Sequence, residues 1–161
     1  YFSATSNDGK GTELWKYDGT NPPTRVSDIY PDVGNSNPAY LEVFGNMLYF
    51  SANANDGTGT ELWKYDGTNS PILAKDINPG PGDSAPSFMT DFNGALYFGA
   101  IGNDNAGYEL WKFDGTNATR VTDINTTGGS NPAYLAVYNN ELYFRADAGD
   151  GTGTELWKFK P

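Results

Sequence analysis

The chain has 161 residues, with twenty Asp and Glu against ten Lys and Arg, a formal charge of −10, and neither Cys nor His. Such an acidic surface is repelled by phosphate backbones and anionic membranes, so nucleic acid is not an expected partner. The missing Cys and His exclude disulfides, a thiolate nucleophile, an imidazole base and a zinc site of the usual ligand types. No run reaches the ~18 apolar residues of a helical membrane span, so membrane insertion is not expected.

The chain opens inside a predicted strand, at Tyr1-Phe2-Ser3-Ala4, without an initiating Met, and reads as a mature or trimmed piece of something longer. Glu13-Leu14-Trp15-Lys16 follows as the next strand. The same four residues return at Glu61, Glu109 and Glu155, spaced 48, 48 and 46 apart. Tyr-Phe recurs in phase at Tyr1, Tyr49, Tyr97 and Tyr143, and Asp-Gly-Thr-Asn at Asp18, Asp66 and Asp114. A fixed period of this length means one supersecondary unit copied along the chain.

The unit at 36–77 resolves into four short strands. The first covers 38–44, and Gly45-Asn46 forms a hairpin turn of the kind that requires positive φ. The second covers 47–52, and a loop rich in Asn, Asp and Gly at 53–59 leads to the third at 60–65. Asp66-Gly67-Thr68-Asn69 turns the chain into the fourth at 72–77. Each run is β-branched or aromatic and bounded by Gly, Pro, Asn or Asp, and no segment has a 3.6-residue period. Segments such as Leu48-Tyr49-Phe50 are apolar on both pleat faces, which suits sheets packed between other sheets.

Four antiparallel strands per unit of about 45 residues predict an all-β fold of β-propeller-type blades, with the strand order of kelch repeats. The Gly-Gly doublet of kelch repeats is missing, so that likeness is one of architecture. The chain divides into a partial unit at 1–29, full units at 36–77 and 84–124, and a partial unit at 130–161. That makes fourteen strands, or three and a half blades, read as one array within a larger or oligomeric propeller.

Residues 61–68, Glu-Leu-Trp-Lys-Tyr-Asp-Gly-Thr, followed by Lys75-Asp76-Ile77, resemble the bacterial ELWxxDGT repeat family, also described as hyalin-like. The copies at Glu13 with Ser27-Asp28-Ile29, and at Glu109 with Thr122-Asp123-Ile124, match as well; the last loses its turn at Lys158-Phe159-Lys160-Pro161. The resemblance implies secreted or surface-attached bacterial proteins with propeller repeats and no established catalytic activity. It leads to the expectation of a non-enzymatic extracellular module with a structural or adhesive role. Further repeats, other copies of the chain and surface glycans are its expected partners.

Two residue sets are candidates for chemistry. Asn53, Asn55, Asp56 and Glu61, and in the fourth unit Asp147, Asp150 and Glu155, place oxygen donors in short Gly-containing loops. Calcium takes six to eight such oxygens and is the candidate cofactor, against the alternative that Asp-Gly and Asn-Gly simply make the turns. Trp15, Trp63, Trp111 and Trp157 are candidate platforms for sugar rings, which carries the alternative reading of a lectin-like, calcium-assisted propeller. Against it stands packing: an aromatic in every unit serves to bury a face, with the Glu accepting hydrogen bonds from the next unit's amides. Glycosidase chemistry needs one tuned carboxylate pair. The acidic residues here nearly all recur from unit to unit, with exceptions such as Glu42 and Asp91 on predicted first strands, and no catalytic residue is expected.

Overall fold

The structure is a computed structural model that describes residues 1–31 and 33–160. Pro161, assigned above to the fourth unit, lies outside the described residues. Fourteen strands and no helix occur among them. The first sheet holds β1 (Phe2–Thr5), β2 (Thr12–Lys16) and β3 (Thr24–Arg25). The second holds β4 (Ala39–Phe44), β5 (Met47–Asn53), β6 (Thr60–Tyr65) and β7 (Ile72–Lys75). The third holds β8 (Ser87–Phe92), β9 (Ala95–Ile101), β10 (Tyr108–Phe113) and β11 (Ala118–Arg120). The fourth holds β12 (Ala133–Tyr138), β13 (Glu141–Asp147) and β14 (Thr154–Phe159). Every sheet is an antiparallel meander in chain order.

Local chemistry sets these boundaries. The β8–β9 turn places Asn93 and Gly94 at φ of 49° and 75°, and the β12–β13 turn places Asn139 and Asn140 at 48° and 60°. Both φ values positive is the geometry that matches the twist of a two-residue hairpin. The β4–β5 turn begins at Gly45 with φ 59°. The turn after β6 is built on Asp66, whose Oδ1 accepts the Thr68 and Asn69 amides at 2.8 Å each. Asp18 and Asp114 repeat that Asx geometry.

The cores lie between sheets. Leu14 and Ile29 of the first unit pack with Leu48, Phe50, Ala52, Trp63 and Tyr65 of the second. Tyr49, Leu62 and Ile77 on the other side of the second sheet pack with Met89, Phe98, Trp111 and Phe113 of the third. Tyr97 and Leu110 then pack with Leu142, Phe144 and Ala146 of the fourth. Within the Glu-Leu-Trp-Lys strands β6 and β10 the Leu therefore faces the following sheet and the Trp the preceding one, because successive side chains in a strand point to opposite faces. Burying one such Leu contributes about 1.5–3 kcal/mol. The expectation of sheets covered on both faces holds best for β5 and β9, whose central residues are all buried.

Candidate functional site

The Glu of the repeated motif begins a buried latch. Glu13, Glu61 and Glu109 are all 0% exposed. Glu61 Oε2 accepts the Ile77 amide at 2.7 Å and the Ser84 hydroxyl at 2.6 Å, while Oε1 accepts the Ser84 amide at 2.9 Å. Glu13 makes the same three contacts with Ile29 and Ser36, and Glu109 with Ile124 and Ser130. The carbonyls of Ser36, Ser84 and Ser130 then accept the amides of Asn53, Ile101 and Asp147 at 3.0, 2.9 and 2.8 Å. One serine thus ties the strand behind it to the sheet ahead. A buried carboxylate without donors would be strongly destabilising; here three donors compensate it.

Burial pushes the Glu61 carboxyl up to about 7, against the opposing pull of the Ser84 hydroxyl and the two amides. Glu109 moves upward for the same reason. These serines were not singled out from the sequence, although they recur 23, 23 and 21 residues after the Glu. That spacing was the available signal, hidden because the serines stand in irregular connections.

The residues considered for calcium are used locally. Asn53 Oδ1 accepts the Asn55 amide at 2.7 Å, and Asp56 Oδ1 accepts the Thr58 amide and hydroxyl at 3.0 and 2.6 Å. Asp147 accepts the Gly149 amide, and Asp150 the Thr152 amide and hydroxyl. Hydrogen bonds from the Thr58 and Thr152 hydroxyls, above all, lower the Asp56 and Asp150 carboxyls below their ordinary range. Glu61 is committed to Ile77 and Ser84, and Glu155 stands exposed. Among the described residues no three Asp or Glu side chains converge as a ligand set.

The tryptophans divide. Trp63 and Trp111 are 8% and 7% exposed and sit inside the inter-sheet cores, which leaves no ring face open to a sugar. Trp15 and Trp157 are half-buried, and Trp157 Nε1 donates to the Ala146 carbonyl at 3.1 Å.

A different aromatic group was not anticipated. Tyr40, Phe88 and Tyr134 occupy equivalent places on the first strands β4, β8 and β12, with ring centres 5.1 and 4.9 Å apart. Each has positive φ, 55°, 53° and 55°. That conformation is strained for bulky residues and coincides with a bulge in each strand pair. Tyr40 and Tyr134 are 45% and 66% exposed, and the Arg145 guanidinium lies 5.2 Å above the Tyr134 ring. Arg145 stands where the other units carry Ser3, Ser51 and Gly99.

The third unit also breaks the pattern at Tyr108, where the others have Thr. Its hydroxyl lies within hydrogen-bond reach of Ser87 Oγ and donates toward the Ala85 and Gly99 carbonyls at 3.0 and 2.9 Å. The ring fits because position 99 has no side chain: a Cβ there would lie 2.5 Å from Tyr108 Cε1. Burial raises the Tyr108 hydroxyl to about 12.

Two surface cavities, of about 320 and 240 Å³, adjoin the Asp66 turn. Asp66 is the one carboxylate lining either, and hydrogen bonds from the Asn69 side chain, then the Thr68 and Asn69 amides, lower its carboxyl. Neither cavity holds the paired carboxylates of glycoside hydrolysis.

No family model matches the chain, and no curated protein matches it. A solved structure from a structural and mechanistic study of two prolyl endopeptidases, concerned with inter-domain dynamics in catalysis and specificity, is similar at 10% identity with a TM-score of 0.51. The match covers 92% of this chain and 23% of that one. At such identity the likeness is one of fold alone, and the chain spans less than a quarter of that structure's length.

Proposed function

We propose that this chain is a non-catalytic module of β-propeller type, acting as a structural or adhesive element at a bacterial cell surface. The observation that carries the reading is the threefold latch. The carboxylates of the repeated motif, Glu13, Glu61 and Glu109, are buried and spent on backbone amides and a serine hydroxyl. Three equivalent carboxylates in one structural task are the mark of a scaffold, whereas catalysis requires one site tuned apart from its copies. Meandering sheets packed face to face, with first strands side by side at Tyr40, Phe88 and Tyr134, support the propeller arrangement. The ELWxxDGT resemblance supports the surface location, and the acidic charge fits it.

The test is incubation of the purified chain with panels of oligosaccharides and peptides, read by mass spectrometry. Turnover that one carboxylate substitution abolishes would sink the non-catalytic reading.

A second reading, saccharide binding, is favoured by the row of exposed Tyr40, half-buried Phe88 and exposed Tyr134 with Arg145 at its end. Exposed rings beside a cationic fork offer stacking faces and donors together. Retention on a polysaccharide column that is lost in Phe88→Ala, and kept in Trp63→Phe, would place binding on this row instead of on the motif tryptophans.

A further inference from the structure

The same aromatic contact joins every neighbouring pair of sheets. Tyr1 of the first sheet meets Tyr65 of the second with ring centres 5.6 Å apart. Tyr49 meets Phe113 at 5.7 Å, and Tyr97 meets Phe159 at 5.9 Å. In each pair the first ring lies on the face turned toward the following sheet, beside the motif Leu. The second lies on the face turned back, two residues after the motif Trp. Among the described residues two members of this series have no partner ring in another sheet: Tyr143, looking forward from the fourth sheet, and Tyr17, looking back from the first.

The rest of those two faces agrees. Leu14, Leu62 and Leu110 are 0% exposed against the following sheet, but the equivalent Leu156 is 75% exposed. Beside it Tyr138, which contacts the Tyr143 ring as Phe44 does Tyr49 and Phe92 does Tyr97, is 66% exposed. On the backward side Phe50 with Tyr65, and Phe98 with Phe113, are 0–5% exposed, whereas the equivalent Phe2 and Tyr17 are 37% and 56% exposed. Among the described residues one forward face and one backward face are left uncovered, and three internal interfaces show how such faces fit.

We infer that the forward face of the fourth sheet, Leu156, Tyr143 and Tyr138, docks the backward face of the first sheet, Phe2, Trp15 and Tyr17, of a second copy of this chain. The inference rests on the reading of the sheets as successive units of one stack. The contact is head-to-tail, so two different surfaces meet and each copy keeps one face of each kind. Tyr143 then stacks on Tyr17 of the second copy. The occupant is another copy because the chain itself bears the surface that fits, in the register its own sheets use three times. Each copy carries a charge of −10, so added salt strengthens the association by screening.

Sedimentation equilibrium of the intact chain at moderate salt, over a wide concentration range, tests this together with Leu156→Glu and Tyr17→Glu. Both side chains are exposed, so both variants fold. The wild type is expected to associate, and either variant alone to dissociate with at least a tenfold weaker constant. An equimolar mixture of the two variants is expected to pair again, since one keeps a sound forward face and the other a sound backward face. A wild type that stays at 17.4 kDa at every concentration overturns the inference, as does association that neither variant weakens. A mixture that fails to pair while the wild type associates overturns the head-to-tail geometry and points to a symmetric contact. Amide exchange on the same samples separates failure of the underlying stack: slow exchange in β5, β6, β9 and β10 means the stack stands and only the docking fails.

Discussion

Ser84 donates its hydroxyl to Glu61 at 2.6 Å across 23 residues of chain, and its own carbonyl receives the Ile101 amide of the next sheet at 2.9 Å. The serine joins an acidic group that must not be left bare to a sheet that must be held in register. Its side chain solvates the carboxylate, while its backbone holds the seam between the second and third sheets.

Ser84→Ala is expected to destabilise the chain by about 1–3 kcal/mol, the range for leaving a buried polar group short of a donor. Glu61→Ala is expected to exceed it, because two amides and a hydroxyl then lose their acceptor together. Urea denaturation followed by tryptophan fluorescence measures both; equal or negligible losses would mean that the latch is incidental.

Stability should fall as pH rises through neutrality. The Glu61 carboxyl rises to about 7 in the folded chain from an ordinary 4.5, so the folded state holds its proton more tightly than the unfolded one. Its contribution is complete below about pH 4.5 and is lost as pH rises through about 7, for at most roughly 3 kcal/mol. Glu109 acts in the same direction. Asp18, lowered to about 2 chiefly by the Asn21 side chain, works the other way: its contribution is present above the usual carboxylate range and lost as pH falls toward about 2. The melting temperature should accordingly peak at about pH 4–5 and decline toward pH 8. Glu61→Gln should flatten that decline, and an unchanged slope in the variant would refute the assignment.

The Tyr108 site gives a coupled pair. Gly99→Ser, which installs the residue found at Ser51, drives a Cβ to 2.5 Å from the Tyr108 ring and 2.9 Å from the Pro132 carbonyl. A loss of about 1–3 kcal/mol is expected from such overpacking. Adding Tyr108→Thr should recover part of it, with a coupling energy of at least about 1 kcal/mol in a double-mutant cycle. Additive losses would show that the Pro132 carbonyl alone sets the limit.

At the β12–β13 turn both Asn139 and Asn140 have positive φ. Asn140→Gly creates the pair most suited to a type I′ hairpin and should raise stability by up to about 1 kcal/mol, read as a shift in the urea midpoint. A lower midpoint would mean that the Asn140 side chain makes the larger contribution.

The period and the turn residues carried the fold. The strands of the second unit fall within a few residues of their expected places, and the Leu-Tyr-Phe runs of β5 and β9 are covered on both sides as their composition suggested. The fourth strand ends earlier, because Asp76 and Ile77 leave β7 to reach the latch. The site was less legible. An Asp-Gly loop reads alike whether or not its oxygens accept its own amides, and the bonds at Asp56 and Asp150 appear only in the geometry. A Trp in every unit reads alike whether it is buried, as Trp63 and Trp111 are, or half-buried, as Trp15 and Trp157 are. The Tyr40 row escaped notice because positive φ at a bulky residue has no compositional mark, and because its rings meet only across units.

The packed interiors of this molecule lie at its seams, one between each two neighbouring sheets. Pulled from its ends, such a chain has no single centre to rupture. Tension would open one seam at a time, each yielding a length of slack while the remaining seams still bear the load. Toughness would come from that sequence of small failures, and a force–extension trace with evenly stepped peaks would be its signature.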